Sequence, residues 1–437
     1  MLRPRLSSLI FAGLTAAALS GRSLAAEPKA WVDDHLEEFI ELYRYFHQHP
    51  ELSLAEKETA ARVAAELKAT GAKVTAGVGG HGVVGVVENK PGPTLLLRTD
   101  LDALPVNEQT QLAYASQVKV RDASGAEIGV MHACGHDIHI TSLIAVARYL
   151  QEHKDRWKGT VVYIGQPAEE KGMGALQMLD DGLFEKFPKP DYAMAMHVDA
   201  TLAAGRIGFR AGYALANVDS VDIKLHGRGG HGAAPHSTID PIVQAARLVL
   251  DLQTIVSREI KPTEPAVVTV GSIHGGTKHN IIGGECHLQL TVRSYSDEVR
   301  QQLLKAIRRK ALASAASSGA PEPTITVTEG TPAMFNDAKL VERIVPVFES
   351  LLGDECVVQS EQSMGGEDFS RYGLAGVPIF MFRLGSVEEQ RLAGYKRVGQ
   401  SPPSLHSPVY YPDAEPTLTT GIAAMASAAL ELLQDKP

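Results

Sequence analysis

Apolar residues recur every three or four positions through "LEEFIELYRYFHQHPELSLAEKETAARVAAELKATG" (36–71). That spacing predicts two amphipathic helices, broken at Pro50, with the second closing at Gly71. The period then shortens. "VVGVVE" (83–88), "TLLLRTD" (94–100), "TVVYIGQ" (160–166) and "DYAMAMHV" (191–198) are short runs rich in β-branched residues and apolar on both faces. Helix-like segments lie between them at 138–154 and 173–186. Strands of this kind alternating with helices predict an α/β domain whose sheet, mixed in direction, is covered by helices.

After Tyr213 the pattern changes again. "SVDIKLHGRG", a helix near 239–258, "AVVTVGSIHGG", "CHLQLTVRSY", a helix near 297–316 and "TITVTEG" spell β-α-β-β-α-β, a small α+β domain. From Thr331 the larger domain resumes and finishes in a helix near 417–434. The expected organisation is a catalytic domain from 26–213 and 331–437, with a lid or dimerisation domain, 214–330, inserted into it. A chain of 437 residues is too long for one ordinary core, which agrees with two domains.

Charge narrows the partners. The net charge of -9 argues against nucleic acid or an anionic membrane surface as the main partner. The N-terminus has Arg3 and Arg5, an apolar run from Leu6 to Leu19, and the small-x-small sequence Ser23-Leu24-Ala25. This is the pattern of a secretory signal over residues 1–25, so the mature protein is expected to be exported, periplasmic or secreted, with no membrane span left. The three cysteines, Cys134, Cys286 and Cys356, are too few and too scattered for a disulfide-stapled scaffold.

Chemistry collects where the apolar strands stop. "TLLLRTD" ends in Asp100, with Asp102 just beyond, "TVVYIGQPAEE" runs into Glu169 and Glu170, and "DYAMAMHV" reaches His197. Ligands of α/β sheets gather outside the carboxyl ends of the strands. Between them "MHACGHDIH" (131–139) opens a helix, and "LHSP" places His406 before Pro408. Each piece alone has an ordinary reading: a solvated Glu-Glu loop, a core histidine, a small buried cysteine, a turn. Together Cys134, His136, Glu170, His197 and His406 are the thiolate, imidazole and carboxylate donors of zinc and related ions. Five are too many for one tetrahedral ion with an open position, whereas two ions sharing a bridging group would use them. Glu169 is then a spare carboxylate beside a ligand, which metal-assisted hydrolysis requires of its base.

These residues resemble a family of binuclear metallo-amidohydrolases that includes aminoacylases, hippurate hydrolase, carboxypeptidases and auxin–amino acid conjugate hydrolases, namely subfamily D of peptidase family M20. The resemblance spans nearly the whole mature chain: "FHQHPELSLAEKETA", "LLLRTDLDALPV", "MHACGHDIHIT", "QPAEE", "GRGGHGAAPH", "DPIVQAA", "HNIIGG", "GGEDFS" and "LHSP". It implies that Cys134 bridges two divalent ions, zinc or manganese with cobalt or nickel as further candidates. His136 and His197 would complete one ion, Glu170 and His406 the other, and Glu169 would act as general base and then acid. His231 and Asn280, in the inserted domain, would bind the substrate and its oxyanion, often in the site of a partner subunit, which implies a homodimer. Gly365 and Gly366 would offer main-chain N–H groups to the substrate. Other branches of the family have His-x-Asp where this chain has Arg98-Thr99-Asp100, so Asp100 and Asp102 are left to orient the ligands. The implied reaction cleaves the amide of an N-acyl amino acid. Two alternatives stay open: a metallo-dipeptidase or carboxypeptidase, and a non-catalytic ligand-binding protein, against which the retained Glu169 argues.

Overall fold

The computed structural model describes residues 14–434 except Ala123, with side chains from Glu27 onward. Of the expected signal segment, residues 1–13 lie outside the described residues, and the rest enters the main chain of the first helix, Leu14–Gln48. Among the described residues no helix is long and apolar enough to cross a membrane.

The larger unit is built on an eight-stranded sheet in the order Lys73–Val78, Gly82–Glu88, Thr160–Gln166, Thr94–Asp100, Tyr192–Ala203, Ile379–Val387, Ile207–Phe209, Val357–Gln359. The four central strands run parallel, and antiparallel pairs flank them on either side, so the sheet is mixed. Leu95, Leu96 and Leu97 are completely buried, as strands apolar on both faces require. Against the sheet pack the helices His136–Glu152 and Ala414–Leu432, and Leu14–Gln48 packs on those two; their Phe39, Tyr43, Ile140, Leu143, Ile422 and Met425 join one core. The segment read as one helix at 173–186 is two, Gly174–Asp180 and Leu183–Lys186, because Gly182 between them takes a positive φ of 83°.

The smaller unit has a core of its own. Its strands Asn217–His226, Ala266–Gly275, Glu285–Ser294 and Thr324–Glu329 form an antiparallel sheet, and the helices Pro241–Arg258 and Asp297–Ser317 bury Leu248, Leu252, Leu303 and Ile307 against it. Along Asn217–His226 every second residue is buried, the signature of a sheet covered on one face only. Asp240 caps the first of these helices, accepting N–H bonds from Ile242 and Val243.

One boundary differs from the sequence reading. The smaller unit comprises Gly212–Phe335 together with Glu361–Leu374, a stretch the sequence assigned to the larger domain. Bonds to main-chain carbonyls hold it there: Ala216 N–H to Gly365 at 3.0 Å, the Arg293 guanidinium to Met364 at 2.6 Å, and the Arg371 guanidinium to Gly330 at 2.6 Å. Contacts so distant in sequence leave no trace in local periodicity.

Candidate metal centre

The parallel register sets the depth of each side chain. Arg98 lies opposite Ala195 and Asp100 opposite Gln166, so Asp100, the turn after Gln166 and His197 reach the same edge of the sheet. Beside them the "MHACGHD" loop enters the helix His136–Glu152 through Gly135, whose φ of 74° suits glycine and whose missing Cβ leaves room for Val198. The His406 loop is tied to the same place by a 2.9 Å bond from its N–H to the Ala133 carbonyl.

Two ligand sets converge on one sulfur. Cys134, His136 and His197 form one triad, and Cys134, Glu170 and His406 another, each with its donor atoms within 4.8 Å of one another. Cys134 Sγ is 3.6 Å from His197 Nε2, His406 Nε2 is 3.4 Å from Glu170 Oε2, and His136 Nε2 is 3.8 Å from a carboxylate oxygen of both Glu169 and Glu170. Two ligands of one tetrahedral zinc are roughly 3.3 to 3.6 Å apart at ordinary bond lengths, so the spacing suits ions between these groups.

Hydrogen bonding decides which lone pairs are offered. His136 Nδ1 lies 2.7 Å from the Asp102 carbonyl, and His197 Nδ1 lies 2.8 Å from the Val198 carbonyl. A carbonyl only accepts, so each Nδ1 carries the proton and each Nε2 turns a lone pair into the cluster. His136 Nε2 and Glu170 Oε1 are buried without a hydrogen-bond partner, an arrangement costly for a structural polar group and suited to a metal ligand.

The electrostatics agree. Burial pushes the Cys134 thiol well above its ordinary range, with the Glu170 charge adding to it. Burial likewise raises Glu170 to about 7, against the opposing pull of His136. For His136 burial acts downward, but the Asp100 carboxylate and the bond to Asp102 outweigh it and lift the imidazole well above its usual value. Burial lowers His197 and, less completely, His406. Proton and metal compete for the same atoms of Cys134, His136 and Glu170, as expected of a centre that needs an ion to neutralise it.

The residues around the donors orient them. Asp100, for which the burial cost is overcome by His136, His139 and Arg98, stays far below the usual carboxylate range. Asp102 accepts from Ser53 Oγ at 2.6 Å and from the Glu170 N–H at 3.0 Å, so it positions the turn that carries Glu169 and Glu170 through its main chain. The sequence reading gave His139 no role. Its Nε2 accepts the Val198 N–H at 2.9 Å, which leaves Nδ1–H to donate to Asp100 Oδ1 at 2.8 Å. Its place one helical turn beyond His136 was the available signal. His132 is buried and held down to about 4 by burial, hence neutral.

A sequence model of "Peptidase family M20/M25/M40" matches residues 96–396. The chain belongs to this family. The M20 chain is 36% identical over 356 residues to thermostable carboxypeptidase 1 of Saccharolobus solfataricus, covering 80% of this chain and 86% of that one. It is 34% identical over 398 residues to IAA-amino acid hydrolase ILR1-like 2 of Arabidopsis thaliana, covering 91% and 85%. Among solved structures, the Bacillus subtilis YxeP protein, described as a dinuclear metal-binding peptidase of the M20 family, superposes with a TM-score of 0.74 at 31% identity, covering 91% of this chain and 98% of that one. This M20 chain is therefore a metal-dependent hydrolase.

The larger unit thus brings together Cys134, His136, Glu169, Glu170, His197, His406, Asp100 and Asp102. The remaining predicted residues lie in the smaller unit. His231 and Asn280 are neighbours there: Gly230–His231 pairs with Ile281–Ile282, and Gly232 N–H donates to the Asn280 carbonyl at 2.9 Å. Both side chains are exposed. Gly366 packs so closely on Thr331 and Val218 that a Cβ would sit 2.6 Å from Thr331 Oγ1, and the Gly365 carbonyl is bonded to Ala216.

Proposed function

We propose that the protein hydrolyses the amide bond of N-acyl amino acids, releasing a carboxylic acid and a free amino acid. The observation that carries this reading is the pair of ligand triads sharing Cys134, with Glu169 beside them as an acidic group outside both triads. His136 and His197 would hold one divalent ion with Cys134, and Glu170 and His406 the other. When bound, such ions supply a water acidified toward neutrality and a Lewis-acid contact for the carbonyl oxygen. The chain's residues do the rest. Glu169, buried but 8% exposed, takes the proton from the attacking water and returns it to the departing amine. Asp102, Asp100 and His139 keep the donors aimed while charge develops. The thiolate favours zinc, and manganese, cobalt or nickel fit the remaining donors.

We further propose that the molecule works as a homodimer in which His231 completes the partner's site and stabilises the oxyanion. Supporting this, the helix Pro241–Arg258 leaves Ile242, Val243 and Leu250 exposed, and Ala266–Gly275 is an edge strand of the small sheet. The N-terminal basic, apolar and small-residue run supports export.

The deciding experiment assays metal-reconstituted protein on N-acetyl, N-benzoyl and indole-acyl amino acids and on dipeptides. N-acyl amino acids should be the better substrates. A preference for dipeptides or for longer peptides would favour peptidase action, as the likeness to a carboxypeptidase suggests, and no turnover on any of them would defeat the reading.

A further inference from the structure

Glu56 occupies the N-cap position of the helix Lys57–Ala69, yet its side chain does not cap that helix. Glu51 does so instead, accepting the Thr59 N–H at 2.7 Å and the Glu58 N–H at 3.2 Å. The Glu56 carboxyl turns away, is completely buried, and accepts the N–H of Ala168, 112 residues onward, at 2.7 Å. Ala168 has a φ of 49°, a left-handed conformation that costs energy for any residue with a Cβ, and it opens the turn Glu169–Lys171. The same short segment also fixes the neighbouring strand end: Glu51 O accepts from Ala103, and Ser53 holds Asp102.

We propose that Glu56 is a positioning residue for the Glu169–Glu170 pair, its buried carboxyl clamping the main chain at Ala168 in the left-handed turn that presents both carboxylates to the donor cluster. The role of that cluster rests on the metal-centre reading, but the clamp does not. A carboxyl in a fully buried site, with Oε2 lacking a partner and Asp102 close enough to oppose its ionisation, is an expensive helix start. An acceptor for the Ala168 N–H at the head of a strained turn is a use that matches its position.

Three variants of the full-length protein test the clamp. Glu56→Gln keeps an acceptor oxygen for the Ala168 N–H and should behave as wild type. Glu56→Asp withdraws the carboxyl by one methylene. It should speed hydrogen exchange in the segment around Ala168, weaken zinc or manganese affinity about tenfold, and lower kcat with KM little changed. Glu56→Asp combined with Ala168→Gly, which removes the penalty of positive φ, should recover part of both metal affinity and kcat. Wild-type exchange at Ala168 and wild-type metal affinity in Glu56→Asp would overturn the proposal. So would a fall in thermal stability with the site readouts unmoved, or a Glu56→Gln variant as impaired as Glu56→Asp. If the wild type itself binds no divalent ion, the metal-centre reading falls, and the exchange measurement still decides the clamp.

Discussion

At the scale of single residues, the centre depends on which atoms are left unpaired. Glu169 sits beside the ligand sets without belonging to either triad around Cys134, so Glu169→Gln should keep fold and metal content and lower turnover by roughly a hundredfold or more. Metal stoichiometry and single-turnover rates on the purified variant separate the outcomes: lost metal would make Glu169 a ligand, and normal turnover would remove it from catalysis. Cys134 is free of disulfide bonding, as are Cys286 and Cys356. Thiol titration of the native protein should therefore show one more reactive cysteine after chelation than before it, because a thiolate held by metal is protected. A covalent bond from Cys134 to either other cysteine would end the binuclear model. His136, at a helix start, and His197, on a strand, were recognisable as candidate donors from residue type and position. Their tautomers were not, since each follows from a carbonyl that only the folded backbone supplies.

At the scale of elements, a buried ion network joins the first helix to the helix His136–Glu152. His47 on Leu14–Gln48 lies 2.7 Å from Asp137 and 3.1 Å from Glu108. Burial alone lowers His47, but the bonds and charges of Asp137 and Glu108 overcome it and raise it to about 9. A group whose folded value exceeds its unfolded one stabilises while protonated. The contribution is therefore complete below pH ~6.5 and is lost as pH rises through about 9. The stability difference between wild type and His47→Gln in urea melts should be largest near pH 6 and shrink toward pH 10. A difference that is constant or grows with pH would show that His47 is not charged in the fold. Periodicity revealed both helices, but their extent only in part: 138–154 was read where His136–Glu152 is found, whereas the first, read from Leu36, already begins at Leu14. That His47 meets Asp137 depends on how the helices cross, which no local pattern encodes.

At the scale of the whole molecule, assembly is the open chemistry. The dimer reading predicts that Glu169→Gln and His231→Ala, each inactive alone, recover activity when mixed, dissociated and reassociated. If His231 serves the partner's site, each mixed dimer holds one doubly damaged and one intact site, so about a quarter of all sites return in an equal mixture. Sedimentation before and after mixing confirms exchange of subunits. Exchange without activity would place His231 in its own chain's chemistry or outside it.

By itself the sequence determined the alternation of strands and helices and the β-α-β-β-α-β insertion, and it named the candidate donor residues that the fold brings together. Each of these is written in local periodicity, or in residue types that have few uses when they stand at strand ends. The tertiary structure alone decided that Glu361–Leu374 joins the smaller unit, that His139 supports Asp100, and that Glu56 reaches Ala168 instead of capping its own helix. The physical reason is common to all three. These are hydrogen bonds between groups far apart along the chain, and their partners are chosen by register and packing after the strands have come together.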